Sequence, residues 1–267
     1  MLTLLVALLS GGALWYWAFC EKWGLAWEIC CGLAGFFIAQ LAVGLIMRGA
    51  VKRRQEKIQA IMLEAQNKIN RQINLFQRRP PSGMAAAQQI LEKIQNDAAR
   101  AALAECESFK PLYKWNLMLK RQIAAMQAQL YFQIKEFKKA DEYLEYAILQ
   151  DPQSIAIRMT RLYRNDDARF EKFSRGKIGR AKGEAAAFLA SVYAWIKLKQ
   201  GDEKAALAAL IEAKKESDHP VLIDNYTKLV NGKTRQFSNA GFGDMWYALY
   251  LEEPKAKPQR QRQGRMF

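Results

Sequence analysis

Histidine is almost absent from this chain, since His219 is the only one among 267 residues. Imidazole is the usual general base of enzymes and a frequent zinc ligand, so its scarcity excludes most histidine-based catalysis and most zinc sites. The four cysteines form no C-x-x-C pair, and the adjacent Cys30 and Cys31 are poor partners for each other. The cysteine pattern therefore does not indicate a disulfide framework.

Catalytic motifs are also missing. The sequence NGKT at 231–234 resembles the end of a phosphate-binding loop, but Thr227 stands where that loop requires an earlier glycine, and no strand precedes it. We interpret it as a helix end with a glycine cap. Paired carboxylates, a nucleophile elbow and metal-ligand spacing are not evident. We therefore expect no enzymatic activity, no cofactor and no metal.

Alternation of apolar and polar residues with period two is absent after Met84, and proline and glycine are confined to breaks. Alanine, leucine, glutamine, lysine and glutamate dominate, which favours short-connected helices. The predicted helices are 84–108, 111–134, 136–149, 154–164, 184–199, 203–216, 221–231 and 242–252.

Two long apolar segments begin the chain. Leu2–Cys20 has 19 residues and no charge, and Gly24–Met47 has 24 residues with one charge, Glu28. About 20 helical residues cross a bilayer, so the pair predicts a transmembrane hairpin with a three-residue turn and Glu28 at its interface. A basic n-region and a small-x-small cleavage site are lacking, which argues against a cleaved signal peptide.

Positive charge follows the second apolar segment, and the whole chain carries a net charge of +15. The positive-inside rule then places both termini and the large domain in the cytoplasm. If the protein is bacterial, the membrane is the inner or plasma membrane. The excess also favours anionic partners. The predicted basic surface comprises Arg53, Arg54 and Lys57 after the second span, and Arg175, Lys177, Arg180 and Lys182 in a flexible loop at 174–183.

A polar helix with an apolar stripe is predicted to continue from the second span. Its stripe could pair with a second copy as a short coiled coil, giving a homodimer, or pack on the following domain. Its basic residues would also attract anionic lipid headgroups. The predicted organisation is a transmembrane hairpin at 1–48, a stalk at 49–79, a helical domain at 84–253 and a disordered basic tail at 254–267.

The stretch QLYFQIKEFKKADEYLEYAILQDP, residues 129–152, combines small and aromatic residues at helical spacing. It resembles a tetratricopeptide repeat, the 34-residue helix–turn–helix unit. The matching positions are Ala128, Tyr131, Phe137, Ala140, Tyr143, Ala147 and Pro152. Ala124 and Gln127 replace the family's Trp and Leu, and Lys135 replaces its turn glycine.

A second stretch, at 187–220, is similar, with Ala194, the turn at 199–202, Ala206, Leu210 and Ala213 in the same order. Segments 153–186 and 221–254 have suitable lengths for degenerate repeats. An ordinary antiparallel helical bundle is the alternative.

The resemblance implies an all-α superhelix whose concave groove binds peptides or helices of partner proteins. The groove positions it implies are Gln122, Gln129, Phe132, Phe188, Trp195 and Lys199. Phe132 and Trp195 are the expected anchors, because aromatic residues dominate interface energies; inter-helix core is their alternative role. The expected function is a membrane-anchored scaffold or adaptor. The alternative is a membrane-tethered binder of nucleic acid or anionic lipid, with nucleic acid less favoured because few aromatics accompany the basic residues.

Overall fold

A computed structural model describes residues 2–79, 81 and 83–253. All regular elements in this part of the chain are helical, so the predicted all-α class is confirmed at that level. The predicted tail at 254–267 lies outside the described residues. Three short 3-10 turns accompany the α-helices. The α-helices are α1 Leu2–Cys20, α2 Leu25–Arg78, α3 Met84–Glu107, α4 Leu117–Gln133, α5 Phe137–Tyr146, α6 Pro152–Arg164, α7 Arg169–Ile178, α8 Gly183–Lys199, α9 Glu203–Lys214, α10 Pro220–Val230 and α11 Asp244–Tyr247.

The chain divides into two compact units between Ile148 and Leu149. The first unit holds α1 to α5 and the second holds α6 to α11.

In the first unit, α1 packs closely against the beginning of α2. A Cβ atom added to Gly11 would lie 2.8 Å from the carbonyl oxygen of Gly32, and one added to Gly35 would lie 2.5 Å from a methyl of Leu14. The glycines therefore allow an approach that a larger residue would prevent. Glu28 is buried in this part of α2.

The lateral surfaces of α1 and of the first half of α2 remain apolar and exposed. Leu8, Leu9, Phe37 and Leu41 are all more than 60% exposed. Both helices are long and apolar enough to cross a membrane. Since few of their side chains are buried by the described chain, they do not have the surroundings of core helices in a soluble domain.

Helix α2 runs without interruption for 54 residues, so the predicted stalk continues the second apolar segment as one helix. The apolar stripe of the stalk packs on α3, with Ile58, Ala65 and Ile69 buried. Ile58 joins a core that includes Phe109 and Ile123. The sequence left two roles possible for this stripe, pairing with a second copy or packing on the following domain. In the described chain the stripe packs on the following helices.

Helix α4 begins later than predicted. A helix was expected from 111 to 134, but a 3-10 turn at Lys110–Lys114 comes first and the backbone is extended at Asn116. The Asn116 side chain accepts hydrogen bonds from the backbone N–H groups of Met118 and Leu119, at 2.9 and 3.3 Å. An asparagine that caps in this way starts a new helix, which explains the difference.

In the second unit, α8 is the central helix and contacts α6, α7, α9 and α10. Its residues Ala186 to Ile196 are all buried. A helix that is apolar on every side is the expected centre of such an arrangement.

The prediction of a flexible loop at 174–183 is wrong for its first half, which belongs to α7. Gly176 weakens helix formation by about 1 kcal/mol relative to alanine. However, Phe170, Ser174 and Ile178 recur every four residues and are all buried. Packing of this face therefore outweighs the low helix propensity.

The prediction of a helix at 242–252 is also wrong over most of its length, because α11 has only four residues. Gly243 precedes it with φ of 58°, a left-handed backbone conformation that interrupts a helix. The segment nevertheless packs tightly, since Trp246 and Leu249 are fully buried.

Five helices end in the same way. The first is α1, where Lys22 has φ of 55° and the two hydrogen bonds of the motif measure 3.1 and 3.4 Å. The other four lie beyond α3. After α4, α6, α8 and α10 the chain enters a positive φ, at Lys135, Asp166, Gly201 and Gly232 respectively. The N–H of each of these four residues donates a hydrogen bond to the carbonyl three residues earlier. The N–H of the following residue donates to the carbonyl five residues before itself. The N–O distances are 2.8 to 3.1 Å. This pattern is the Schellman motif. Gly232 thus confirms the glycine cap predicted for NGKT.

Candidate partner-binding surfaces

The predicted groove positions on α4 have different surroundings. Gln122 is exposed and Gln129 is half-buried. Phe132 is only 2% exposed, and its ring packs edge-on against Phe137 of the same helical hairpin at 5.3 Å between centroids. Phe132 therefore contributes to the core of the first unit.

Of the predicted positions on α8, Phe188 and Trp195 are covered by the chain itself, whereas Lys199 is exposed. Phe188 packs edge-on against Phe242 at 5.3 Å, and Trp195 packs edge-on against Trp246 at 5.5 Å. We call residues 237–252, which supply these contacts, the C-terminal cover. Phe188 and Trp195 are consequently buried.

A carboxylate joins the two indoles. Glu252 accepts hydrogen bonds from Trp195 Nε1 through Oε1, at 2.8 Å, and from Trp246 Nε1 through Oε2, at 3.0 Å. Lys199 Nζ lies 5.1 Å from the centre of the Trp195 ring, close enough for a cation–π interaction. Both tryptophan N–H donors are satisfied within the chain.

The beginning of the cover is fixed by two buried asparagines. Asn239 Nδ2 donates to the carbonyl of Ser191 on α8, and Asn225 Nδ2 on α10 donates to Asn239 Oδ1, both at 2.9 Å. The Ser238 N–H completes the network by donating to Asn225 Oδ1. Because buried amides are costly to leave unpaired, this network favours one position for the cover.

An open cleft of about 340 Å³ lies between α7, α8 and α9. Its floor is formed mainly by alanines, including Ala205 and Ala209 on α9, and charged residues of both signs stand at its edge. Small side chains on packed helices leave room for a larger side chain from outside. No sequence motif marks this cleft, although the α9 sequence EKAALAALIEAK is rich in alanine.

At one side of the cleft, Glu171 accepts hydrogen bonds from Tyr193 Oη at 2.7 Å and from Arg175 Nε at 2.6 Å. Lys197 Nζ lies 2.7 Å from its other oxygen. Burial and the bond to Glu171 raise the pKa of Tyr193 to about 12. Burial alone would raise the pKa of Glu171, but the bonds from Lys197 and Tyr193 outweigh it and lower that pKa.

The predicted basic residues are spread over several elements. On α2, Arg53 is exposed, Arg54 Nη1 donates to the carbonyl of Ala50, and Lys57 Nζ lies 3.7 Å from Glu105.

In the second unit, Arg175 and Lys177 belong to α7. Lys177 Nζ donates to the carbonyl of Leu149 at 3.0 Å, and burial, aided by Arg180, lowers its pKa. Arg180 and Lys182 are exposed between α7 and α8. Two of these four cations are thus engaged within the chain.

A second pocket, of about 600 Å³, lies in the first unit. It is bounded by the first turn of α1, the middle of α2 and the start of α4, and Gln122 is part of its wall.

Comparison of the chain with family models, with curated proteins and with solved structures gives no match.

Proposed function

We propose that this protein is a membrane-anchored scaffold, in which α1 and the first half of α2 span the membrane as a hairpin. The remaining helices, in this proposal, form repeats similar to the tetratricopeptide family on the cytoplasmic side. There they recruit or assemble partner proteins.

The recurrence of the Schellman ends supports the repeat assignment most strongly. Beyond α3, the positive-φ residues of these helix ends, Lys135, Asp166, Gly201 and Gly232, follow one another at intervals of 31, 35 and 31 residues. A tetratricopeptide unit has about 34 residues. In three of the four cases the helix contacts the helix that follows it, as α4 with α5, α6 with α7 and α8 with α9. Such hairpins need stacked neighbours to bury their faces.

The burial of the residues that match the tetratricopeptide pattern also supports the repeat assignment. Ala128 and Ala140 have no exposed surface, as small residues at a helix crossing should. Tyr131 and Tyr143 stack at 5.3 Å between ring centroids. In the second stretch Ala194 is likewise fully buried.

The length of α2 supports the anchoring role. Its apolar part ends at Met47, and the same helix then continues to Arg78. At 1.5 Å per residue this continuation is about 46 Å long. Because α3 packs along this continuation, a single helix would fix the orientation of the first unit relative to the membrane.

The cleft between α7, α8 and α9 is the surface that we propose for the partner. Phe188 and Trp195, the aromatic residues of the α8 face that the resemblance implied, are covered by the chain's own residues, whereas the cleft is open and combines an apolar floor with a charged edge. A bulky apolar side chain of a partner fits the floor, and charges around it suit orientation and specificity.

Site-specific photo-crosslinking in native membranes tests this function. A photoreactive residue replaces Ala208, which is exposed in the cleft, or Ala104, which is exposed on α3 and serves as the matched control. We expect a discrete protein adduct from position 208 that survives washing at high salt, and none from position 104.

Recovery of nucleic acid alone, stripped by salt and equal for both positions, would contradict the scaffold and favour the basic-surface alternative. Equal protein adducts at both positions would contradict the cleft as the binding surface.

A further inference from the structure

Cationic and apolar side chains together line the pocket of the first unit. Arg48 and Lys52 lie one helical turn apart on α2, and Leu4, Met47 and Leu119 supply apolar surface. Arg48 forms no hydrogen bond or ion pair within the described residues, and Lys52 makes only an exposed contact with Glu56 at 3.8 Å. Cationic and apolar groups side by side suit an amphipathic anion.

The position of the pocket follows from the start of α1. Thr3 Oγ1 donates to the carbonyl of Trp115 at 3.3 Å, which holds the beginning of α4 beside the first turn of α1. On α2 the apolar stretch ends at Met47, next to Arg48. Leu25 to Met47 is about 34 Å of helix, close to the thickness of a bilayer core. If the two helices span the membrane as proposed above, the pocket opens at the cytoplasmic interface.

The pocket also has unfilled room beside the apolar helices. A Cβ atom added to Gly44, which lines the pocket, would meet no atom within 4 Å. Nearby, Gln40 Oε1 is buried without a hydrogen-bond partner among the described residues. The indole of Trp115, a residue type that favours membrane interfaces, is part of the same wall.

We propose that this pocket binds one anionic phospholipid. Its phosphate lies between Arg48 and Lys52, and one acyl chain extends over Gly44 along the exposed apolar surface of α2. This assignment rests on the proposed membrane anchoring and adds a defined lipid site to it. It differs from a general attraction of basic residues to the membrane, because it depends on two particular cations and on the space above Gly44.

The matched control is provided by the neighbouring turn of the same helix. Arg53→Gln/Arg54→Gln removes two positive charges, as Arg48→Gln/Lys52→Gln does, but neither Arg53 nor Arg54 lines the pocket. Gly44→Leu is a third variant, which fills the space for the acyl chain without changing the charge.

The experiment is native mass spectrometry of the purified full chain in detergent, titrated with phosphatidylglycerol or phosphatidylcholine. We expect one tightly bound phosphatidylglycerol and weaker binding of phosphatidylcholine. Arg48→Gln/Lys52→Gln should weaken phosphatidylglycerol binding about thirtyfold, at the strength usual for two basic residues near a membrane. Arg53→Gln/Arg54→Gln should change it less than about threefold, and Gly44→Leu should weaken it although all charges remain.

Three results would overturn the proposal: equal binding of both lipids, equal loss in the two charge variants, or displacement of the lipid by inorganic phosphate. Circular dichroism of each variant separates loss of binding from loss of folding. The assay uses detergent-solubilised protein and requires no protein partner, so its failure is distinguishable from failure of the crosslinking experiment.

Discussion

The α4 and α8 faces carry the same kind of sequence pattern but have different surroundings. Each pattern contains an aromatic residue that was expected to anchor a partner, Phe132 on α4 and Trp195 on α8. Phe132 is covered by the next helix of its own hairpin, whereas Trp195 is covered by residues about 50 positions later in the chain. Gln122 at the start of the α4 pattern is exposed. A local pattern thus predicts which residues share a face, but it does not predict what covers that face.

The largest effect that would sharpen this comparison is expected for Trp246→Ala. Trp246 is fully buried against Trp195, so its removal should lower the free energy of unfolding by about 3–5 kcal/mol. The measurement is urea unfolding followed by circular dichroism. By contrast, Gln122→Ala, at an exposed position of α4, should change the free energy of unfolding by less than about 0.5 kcal/mol. Equal effects at the two sites would mean that the cover is not part of the folded core.

Glu252→Gln should have the next largest effect. A glutamine amide can accept from one indole, but its NH2 group then faces the N–H of the other, which loses its acceptor. We expect a decrease of about 1–3 kcal/mol in the same unfolding assay. Glu253→Gln is the control at the adjacent exposed position. If both variants were as stable as the unaltered chain, the link between Trp195 and Trp246 would be unimportant.

The helix ends offer a smaller contrast. Gly201→Ala places a Cβ atom on a residue with φ of 80° and should destabilise the chain by about 1 kcal/mol. At Lys135, where φ is 62°, the backbone already accommodates a side chain, so Lys135→Ala should change the stability by less than about 0.5 kcal/mol. Thermal unfolding of both variants checks this expectation. A larger effect at Lys135 would argue against equivalent roles for the two ends.

The smallest expected effect is a difference in the loss of folding stability at low pH. Tyr193 of the α8 hairpin is hydrogen-bonded to Glu171 of α7, whereas the α4 hairpin stacks Tyr131 on Tyr143. Because the pKa of Glu171 is lowered in the folded chain, its stabilising contribution is present above the unfolded pKa of about 4.3 and is lost as the pH falls below it.

The carboxylate is partly exposed, so we expect a contribution below about 1 kcal/mol. Unfolding measured near neutral pH and in acid should show a smaller loss of stability in Glu171→Gln than in the unaltered chain. An identical loss in both proteins would exclude Glu171 as a source of the acid sensitivity.

Much of the helical order could be predicted from the sequence. The helix predicted at 184–199 begins one residue earlier in the structure, at Gly183, and ends at the predicted residue. Periodicity and turn residues determine such helices locally. At 174–183 three glycines suggested a loop, but in α7 the packing of the Phe170 face overcomes the low helix propensity of Gly176.

The candidate surfaces were less predictable, because they depend on contacts between different elements and not on local sequence. The cover of α8 depends on contacts between residues that are distant in sequence, such as Ser191 and Asn239. The cleft between α7, α8 and α9 arises where alanines of different elements meet, and no single motif marks it. The aromatic content of residues 237–252 was a usable signal for burial, although it does not identify α8 as the partner.

Membrane orientation is the claim on which the proposed function depends most directly. The test uses a chain whose four native cysteines are replaced, with a single new cysteine at Lys22 in the turn or at Lys204 on α9, both exposed. Intact cells are treated with a membrane-impermeant maleimide, and the labelling is compared with that after lysis. The account predicts that position 22 is labelled in intact cells and position 204 only after lysis. Labelling of position 204 in intact cells would contradict a cytoplasmic scaffold.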